Sequence, residues 1–185
     1  MRKSVATLFA LIFFAGLASA QIPTAGNVYF GYTYYNTSLS VNRGSLNGWQ
    51  ATLEGKLFPV LGIVADITGH YGSQDFPNPA ATCALGAVCP PLSANAHIYE
   101  ALFGPRISVP VGKFRPFGEA EFGVGHVTTN GFGSDTSWAT ALGGGIDYLI
   151  FRPLAWRFQG DYVRTRFFNH AENNVRLSTG IVFRF

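Results

Sequence analysis

Hydrophobic and polar residues alternate one by one along much of the chain, and the alternation is clearest over residues 174–185. One face of this stretch would carry Val175, Leu177, Thr179, Ile181, Phe183 and Phe185, and the other Arg176, Ser178, Gly180, Val182 and Arg184. A period of two residues is typical of a β-strand whose two faces meet different surroundings. Residues 48–57 and 136–149 alternate in the same way. The pattern therefore predicts a sheet with one apolar face and one polar face.

The same period predicts eight strands of roughly ten residues each. They span residues 28–37, 48–57, 62–72, 97–108, 114–128, 136–149, 155–167 and 174–185. The connections after the second, fourth and sixth strands are short and each contains a proline, whereas the others are longer or more polar. Short turns at one end and longer loops at the other are typical of a bacterial outer-membrane barrel with both termini in the periplasm. The predicted fold class is therefore all-β, an eight-stranded antiparallel up-and-down transmembrane β-barrel.

The first twenty residues have a different chemistry. Arg2 and Lys3 precede an apolar run over residues 5–17, and Ala18, Ser19 and Ala20 follow. This is the pattern of a secretory signal peptide cleaved after Ala20, and the run is shorter than the roughly 17 to 25 residues of a retained membrane helix. We therefore expect a signal peptide at residues 1–20 and a barrel domain at residues 21–185.

The charge balance gives no indication of nucleic-acid binding. Removal of Arg2 and Lys3 lowers the number of basic residues from 13 to 11, against 10 acidic residues. The apparent basicity of the chain therefore belongs mostly to the targeting signal, and we expect no nucleic-acid partner.

Aromatic residues make up 15% of the chain and charged residues only 12%, which fits strands that face lipid. Hydrocarbon offers no partner for the N–H and C=O groups of an edge strand, so a sheet in a membrane must close on itself. We expect aromatic rings at both interfaces of such a barrel. The candidates are Phe58, Phe114, Phe151, Trp156 and Phe185 on the periplasmic side and Tyr34, Trp49, Tyr71 and Trp138 on the outer side.

The alternation also predicts a charged interior. Carried through all eight strands, it places twelve charged residues on the inward face: Glu54, Lys56, Asp66, Glu100, Arg106, Glu119, Glu121, Asp147, Arg157, Asp161, Arg176 and Arg184. A soluble β-sandwich, the alternative all-β fold, does not suit strands that each have an apolar and a charged face, whereas a barrel can pair the charges inside. Eight strands leave only enough room for side chains. We therefore predict an interior charge network that plugs the lumen.

Several stretches resemble the small OmpA-like, porin-like outer-membrane β-barrel proteins of the Gram-negative cell envelope. They are "NNVRLSTGIVFRF", "NGWQATLEGKLFPVLGIVADITGHYGS", "FGPRIS", "RPFGEAEFGVGH", "ALGGGIDYLI" and "DYVRTRF". The resemblance covers nearly the whole mature chain and is specific for the fold but not for an activity. It implies that Ile181, Phe183 and Phe185 in the last strand are the signal for the barrel-assembly machinery. It also implies an integral position in the outer membrane.

Candidates for catalysis or metal binding are weak. His170 and Glu172 precede the last strand, and lipid A deacylases of the outer membrane use a histidine with a serine two positions later. No serine stands at that spacing here, so acyl transfer lacks its nucleophile. His70, His97 and His126 could bind a metal only if they converged in space. We therefore expect no catalytic residue, no metal and no cofactor.

Cys83 and Cys89 lie close together in the longest predicted loop. A disulfide between them is favoured in an oxidising compartment, and a free pair with redox or metal chemistry is the alternative. A bridged, proline-rich loop would suit binding of an extracellular partner because little entropy is lost on binding. The alternative is that such a loop serves only to resist proteases.

Arg164 and Arg166 lie near the predicted outer interface. Guanidinium groups are suited to the phosphates of lipopolysaccharide, and the alternative is that the two residues only end the strand at the polar boundary. The sequence thus leaves three functions open. We favour a structural or surface-interaction barrel that works through its loops, ahead of a narrow porin-like channel for ions or small solutes and an enzyme of the lipid interface.

Overall fold

The computed structural model of the protein describes residues 25–37, 44–76, 92–131 and 133–185. Within these residues the chain forms eight strands, β1 (Gly26–Thr37), β2 (Gly44–Lys56), β3 (Leu61–Phe76), β4 (Leu92–Ser108), β5 (Phe114–Thr129), β6 (Gly133–Phe151), β7 (Leu154–Thr165) and β8 (Glu172–Arg184), with a 3-10 turn at Phe167–Asn169. Successive strands pair antiparallel, and β8 pairs with β1, so the sheet closes. The predicted eight-stranded antiparallel barrel is confirmed.

The two faces of the sheet have opposite chemistry. The outward face carries large apolar side chains, among them Phe30, Leu142 and Trp138, which are 64%, 67% and 75% exposed. The inward face carries charged residues such as Arg106 and Arg176, both 0% exposed. This is the reverse of a soluble protein, and it is the arrangement of a barrel whose outer wall faces lipid.

The two ends of the barrel differ. One end, called here the turn end, holds the short connections 57–60, 109–113 and 152–153, and β1 and β8 have their outer ends there. The opposite end, called here the loop end, holds the other connections. The connection after β5 covers only residues 130–132, which is shorter than predicted. Gly131 and Gly133 adopt φ values of 90° and 93°, which are favourable for glycine and allow a tight reversal.

Several strands run further toward the loop end than the alternation predicted. β2 begins at Gly44, β3 ends at Phe76 and β4 begins at Leu92, instead of residues 48, 72 and 97. Backbone pairing continues there between polar residues, and Ser73 Oγ donates a hydrogen bond to Asn95 Oδ1 at 2.9 Å. Such polar pairs do not alternate with apolar residues, so the hydrophobic pattern does not predict these parts of the strands.

No helix among the described residues is long and apolar enough to cross a membrane.

Aromatic side chains form a girdle around each end of the outer wall. Near the loop end these are Tyr34, Trp49, Tyr71 and Trp138, together with Tyr32, Tyr99 and Tyr162. Near the turn end they are Phe58, Phe114, Phe151, Trp156 and Phe185. Trp49 Nε1 donates a hydrogen bond to the Tyr71 hydroxyl at 3.2 Å. Amphipathic rings with a polar atom of this kind are typical of a membrane–water interface.

Candidate functional site

The barrel interior holds the twelve charged residues that the alternation assigned to it. The structure places each of them on an inward face and in at least one ion pair. Ten are buried, and the other two, Lys56 and Arg184, are half-buried at the turn end. The ion pairs divide into a central cluster and a turn-end cluster.

Arg176 on β8 is the centre of the first cluster. Its guanidinium lies 2.8 Å from Asp66 Oδ2 and 2.9 Å from Asp161 Oδ2. It also lies 3.5 Å from Glu100 Oε2 and 3.7 Å from Glu121 Oε2. These carboxylates belong to β3, β7, β4 and β5, and all five side chains are 0 or 1% exposed. One planar guanidinium thus bridges the lumen, because its donors point outward in several directions.

Neighbouring polar groups hold two of these carboxylates in place. Gln50 Nε2 donates to both oxygens of Asp66, at 3.1 and 3.0 Å. The Tyr35 hydroxyl donates to Glu100 Oε1 at 2.9 Å, and Thr68 Oγ1 donates to Glu100 Oε2 at 3.2 Å. Asp66 and Glu100 thus keep hydrogen-bond partners in the buried cluster, whereas neither oxygen of Glu121 has one among the described residues.

Arg106 and Arg157 organise the turn-end cluster. Arg106 donates to Glu119 Oε2 at 2.6 Å and to Glu54 Oε2 at 3.0 Å. Arg157 donates to both oxygens of Asp147, at 2.7 and 3.1 Å.

Phe117 lies between the two guanidinium groups of this cluster, each 4.5 Å from the centre of its ring. The sequence analysis did not identify Phe117. Its position two residues before Glu119 could have shown that its side chain faces the interior. The contact of the ring with the two guanidinium groups is a favourable cation–π arrangement.

The loop-end half of the interior combines an apolar cluster with buried polar side chains such as Gln74, Glu172 and Asn174. Its buried cluster consists of Tyr35, Leu46, Ile98, Leu102, Val127, Ala139, Ala141, Val163 and Phe167. Phe167 was predicted to end a strand, but it lies in the 3-10 turn and is 1% exposed. Gly125 makes room for this ring, since a Cβ there would lie 3.0 Å from Phe167 Cζ. The lumen is thus filled by charged groups and, toward the loop end, by a mixture of apolar and polar side chains.

Glu172 is buried within β8, whereas the sequence analysis placed it with His170 before the last strand. That assignment of Glu172 is wrong, because β8 begins two residues earlier than predicted and turns the side chain inward. Thr165 Oγ1 donates to its carboxylate at 3.3 Å. His170 itself is exposed.

His126 lies beside two hydroxyl groups on the outer wall near the loop end. Its Nδ1 is 2.7 Å from Thr136 Oγ1, and its Nε2 is 3.2 Å from Thr128 Oγ1. Both ring nitrogens thus contact threonines, and neither contacts a carboxylate that would orient a general base. The nearby Asp135 instead accepts the backbone N–H groups of Thr136 and Phe168. The geometry is that of a cross-strand polar contact.

The other histidines do not form a metal centre. Among the described residues, no three or more His, Cys, Asp or Glu side chains are arranged to hold a metal ion. His70 packs against Tyr35 inside the barrel, and His97 lies edge-on to Tyr71 outside it. Cys83 and Cys89 lie outside the described residues, as does the signal peptide, so the disulfide and the cleavage remain predictions.

Arg164 and Arg166 are exposed at the loop end of the outer wall. With Trp138, Thr140, Thr165 and Ala171 they line a surface cavity of about 520 Å³. Two guanidinium groups therefore lie next to the Trp138 ring, at the loop-end edge of the exposed apolar side chains of the outer wall, called here the apolar belt. In the last strand, Ile181, Phe183 and Phe185 face outward and are 38%, 49% and 53% exposed.

No protein-family model and no curated protein sequence matches the chain. Solved structures do. Neisserial surface protein A is 14% identical, with a TM-score of 0.67, and the match covers 87% of this chain and 99% of that one. OprG, an outer membrane protein from Pseudomonas aeruginosa, is 11% identical with a TM-score of 0.59, covering 89% and 97%.

Ail, the attachment invasion locus protein of Yersinia pestis, was solved in complex with the heparin analogue sucrose octasulfate. It is 12% identical to this chain with a TM-score of 0.58, covering 87% and 98%. At such identities these likenesses concern the fold. The closed sheet, its apolar outer wall and its charged interior agree with that fold. The chain thus has the fold of the small OmpA-like eight-stranded outer-membrane β-barrels and the lipid-facing surface of an integral outer-membrane protein.

Proposed function

We propose that the protein is a closed barrel with a structural or surface-interaction role, and that it works through its loop end rather than through its lumen. The observation that carries this proposal is the burial of three interior arginines. Arg106, Arg157 and Arg176 are each 0% exposed, which supports a lumen filled by side chains rather than by water. An ion could pass only if these buried pairs separated, and breaking one such pair costs about 3 to 5 kcal/mol.

The loop end then faces the cell exterior and the turn end faces the periplasm. This orientation agrees with the rule that bacterial outer-membrane barrels have short periplasmic turns and longer extracellular loops. An extracellular partner would therefore meet the loops, including the one that contains Cys83 and Cys89. The barrel-assembly machinery would recognise Ile181, Phe183 and Phe185 in β8 during biogenesis.

Lipopolysaccharide is the proposed contact of the outer wall. Arg164 and Arg166 offer planar donors that suit phosphate oxygens, and Trp138 beside them suits the boundary between headgroups and acyl chains. Catalysis is not part of the proposal, since the hydroxyl contacts of His126 lack an orienting acid.

Single-channel recording of the refolded mature protein in a planar bilayer tests whether the lumen is closed. Folding is first checked by the different migration of unboiled and boiled protein on a denaturing gel. We expect a folded barrel without steady conductance. Steady conductance that changes in Glu119→Gln, but not in the exposed turn-end control Arg152→Gln, would replace this proposal with a narrow channel for ions or small solutes.

A further inference from the structure

The mouth of the barrel at the turn end contains a cavity of about 510 Å³ with an excess of positive charge. Lys56, Arg115 and Arg184 line it, within an apolar rim that includes Phe58, Pro110 and Phe185. We infer that this mouth is a binding site for a phosphate group. The site lies at the opposite end from the proposed loop-end contacts and does not depend on them.

Arg115 is the residue that makes the site. It faces inward from the start of β5 and is half-buried, and its Nε is buried without a hydrogen-bond partner. Its partner in the register of β5 and β6 is Asp147. Both oxygens of Asp147 already accept hydrogen bonds from Arg157, and one of them also accepts from Arg184 at 3.3 Å. Asp147 is therefore not free to neutralise Arg115.

Glu54 is occupied in the same way. One of its carboxylate oxygens forms an ion pair with Lys56. The other accepts from Asn27 Nδ2 at 2.7 Å and from Arg106 at 3.0 Å. Lys56 itself also donates to Ser108 Oγ at 2.6 Å. The second carboxylate near the mouth thus has no remaining oxygen for Arg115.

The side-chain charges at this end do not balance. The cations are Lys56, Arg106, Arg115, Arg157 and Arg184, and the anions are Glu54, Glu119 and Asp147. Five positive side-chain charges minus three negative ones leave an excess of two, and the carboxylate of the last residue, Phe185, which lines the same cavity, lowers this excess to one. Buried or partly buried charge of one sign favours a bound counter-ion, because the low local dielectric strengthens the attraction.

A phosphate group suits this site because its charge is of the opposite sign and its oxygens fit the donors that line the mouth. A phosphate monoester carries about −1.5 to −2 near neutral pH. Guanidinium forks bind phosphate oxygens with paired hydrogen bonds, and a lysine ammonium adds a point charge. The phosphate could belong to a soluble periplasmic compound or to the headgroup of a phospholipid at the rim. Both sources present the same chemistry to Arg115.

The test is calorimetric titration of inorganic phosphate into the refolded mature barrel in neutral detergent micelles at constant ionic strength. We expect saturable binding that Arg115→Gln weakens by about tenfold or more, since it removes a charge-assisted hydrogen bond. Arg152→Gln is the matched control, because Arg152 is an exposed cation on a turn at the same end and does not line the cavity. Its binding should equal that of the wild type.

Three results would overturn the inference: no saturable binding to the wild type, unchanged binding to Arg115→Gln, or an equal loss in Arg152→Gln. Unboiled gel migration checks that each variant is folded, and we expect Arg115→Gln to fold because it leaves no carboxylate unpaired. Arg115→Lys is the second variant, which keeps the charge without the fork and should bind with intermediate affinity. If Arg115→Gln did not fold, unchanged binding to Arg115→Lys would overturn the inference.

The source of the phosphate is distinguished by repeating the titration in lipid nanodiscs. If a headgroup occupies the mouth, discs that contain phosphatidylglycerol should weaken the binding of inorganic phosphate relative to micelles of a neutral detergent without phosphate, and Arg115→Gln should remove that difference. If the site serves a soluble compound, the discs and the micelles should give the same affinity. Either result supports a phosphate site once the micelle titration shows saturable, Arg115-dependent binding.

Discussion

Arg176 neutralises a set of carboxylates that would otherwise repel one another inside the barrel. Its guanidinium lies within 3.7 Å of Asp66, Glu100, Glu121 and Asp161, all of them buried. Replacing it by methionine keeps much of the volume but leaves the carboxylates without their cation. We expect Arg176→Met to destabilise the folded barrel by about 3 to 5 kcal/mol. The measurement is the urea midpoint of refolded protein in micelles, followed by gel migration.

Arg164→Met is the control for this prediction, because it removes an equal charge from the exposed outer wall. It should change the free energy of unfolding by less than about 0.5 kcal/mol. If Arg176→Met were as stable as the wild type, the central cluster would not be an important source of stability. A partial recovery in Arg176→Met with Asp66→Asn would show that the lost pairing, rather than lost packing, causes the effect.

At this scale, strict alternation assigned twelve charged side chains to one face, and the structure places these twelve inward. Where the outward face of a strand meets hydrocarbon, a charge has only the inward face available. Phe117 and Arg115 lie on the same face of β5 as Glu119. Phe117 was missed because an aromatic ring was not expected in a charged interior. Arg115 was missed because the alternation was not extended to the first residues of the strand. Glu172 was missed because β8 begins among polar residues with no hydrophobic period.

Strand β8 closes the barrel by pairing with β1, and its outward residues end in Phe183 and Phe185. If these rings are recognised during assembly, a change there should affect assembly in cells more than the stability of the finished fold. We expect Phe185→Ser to reduce the amount of folded protein in the outer membrane several-fold. Refolding of the same variant into detergent micelles should match that of the wild type.

Phe151→Ser is the matched control, since Phe151 is an exposed aromatic residue at the same end, on β6. Quantitative blotting of unboiled outer-membrane fractions measures both variants. Equal losses in the two would mean that only the loss of an interfacial ring matters. Unchanged amounts of Phe185→Ser would contradict the proposed assembly signal.

The existence and order of the strands followed from the sequence, but their bounds at the loop end did not. Pairs such as Ser73 with Asn95 extend the sheet through backbone hydrogen bonds and side-chain contacts between polar residues. A hydrophobic pattern does not predict pairs of polar residues. The tight connection after β5 likewise depends on the left-handed conformations of Gly131 and Gly133, which a polar composition alone does not specify.

On the scale of the whole molecule, the decisive property is an apolar wall around a charged interior. That combination distinguished a membrane barrel from a soluble β-sandwich on the sequence alone. Only a closed sheet in lipid offers an apolar environment to one face of every strand and a polar interior to the other. The apolar cluster that includes Leu46, Ile98 and Phe167 was not foreseen. It depends on which inward positions lie at the same height, and that requires the register between strands.

The same distribution of charge predicts where lipopolysaccharide should bind. Arg164 and Arg166 stand at the loop-end edge of the apolar belt, whereas Lys113 and Arg152 are exposed at the turn end. We expect the double change Arg164→Gln with Arg166→Gln to weaken association of the refolded barrel with lipopolysaccharide several-fold, since two exposed charge contacts contribute about 1 kcal/mol together. Co-migration of labelled lipopolysaccharide with the folded protein, measured over a range of concentrations, gives the affinity.

Lys113→Gln with Arg152→Gln removes the same charge from the opposite end and is the control. It should leave the affinity unchanged, because the outer wall near Trp138 keeps both of its guanidinium groups. Raising the salt concentration should weaken binding of the wild type more than binding of the Arg164 and Arg166 double variant, since exposed ion pairs are screened. Equal affinities in all three proteins would mean that the two arginines only mark the polar end of β7, and that any surface contact of this barrel lies in its loops.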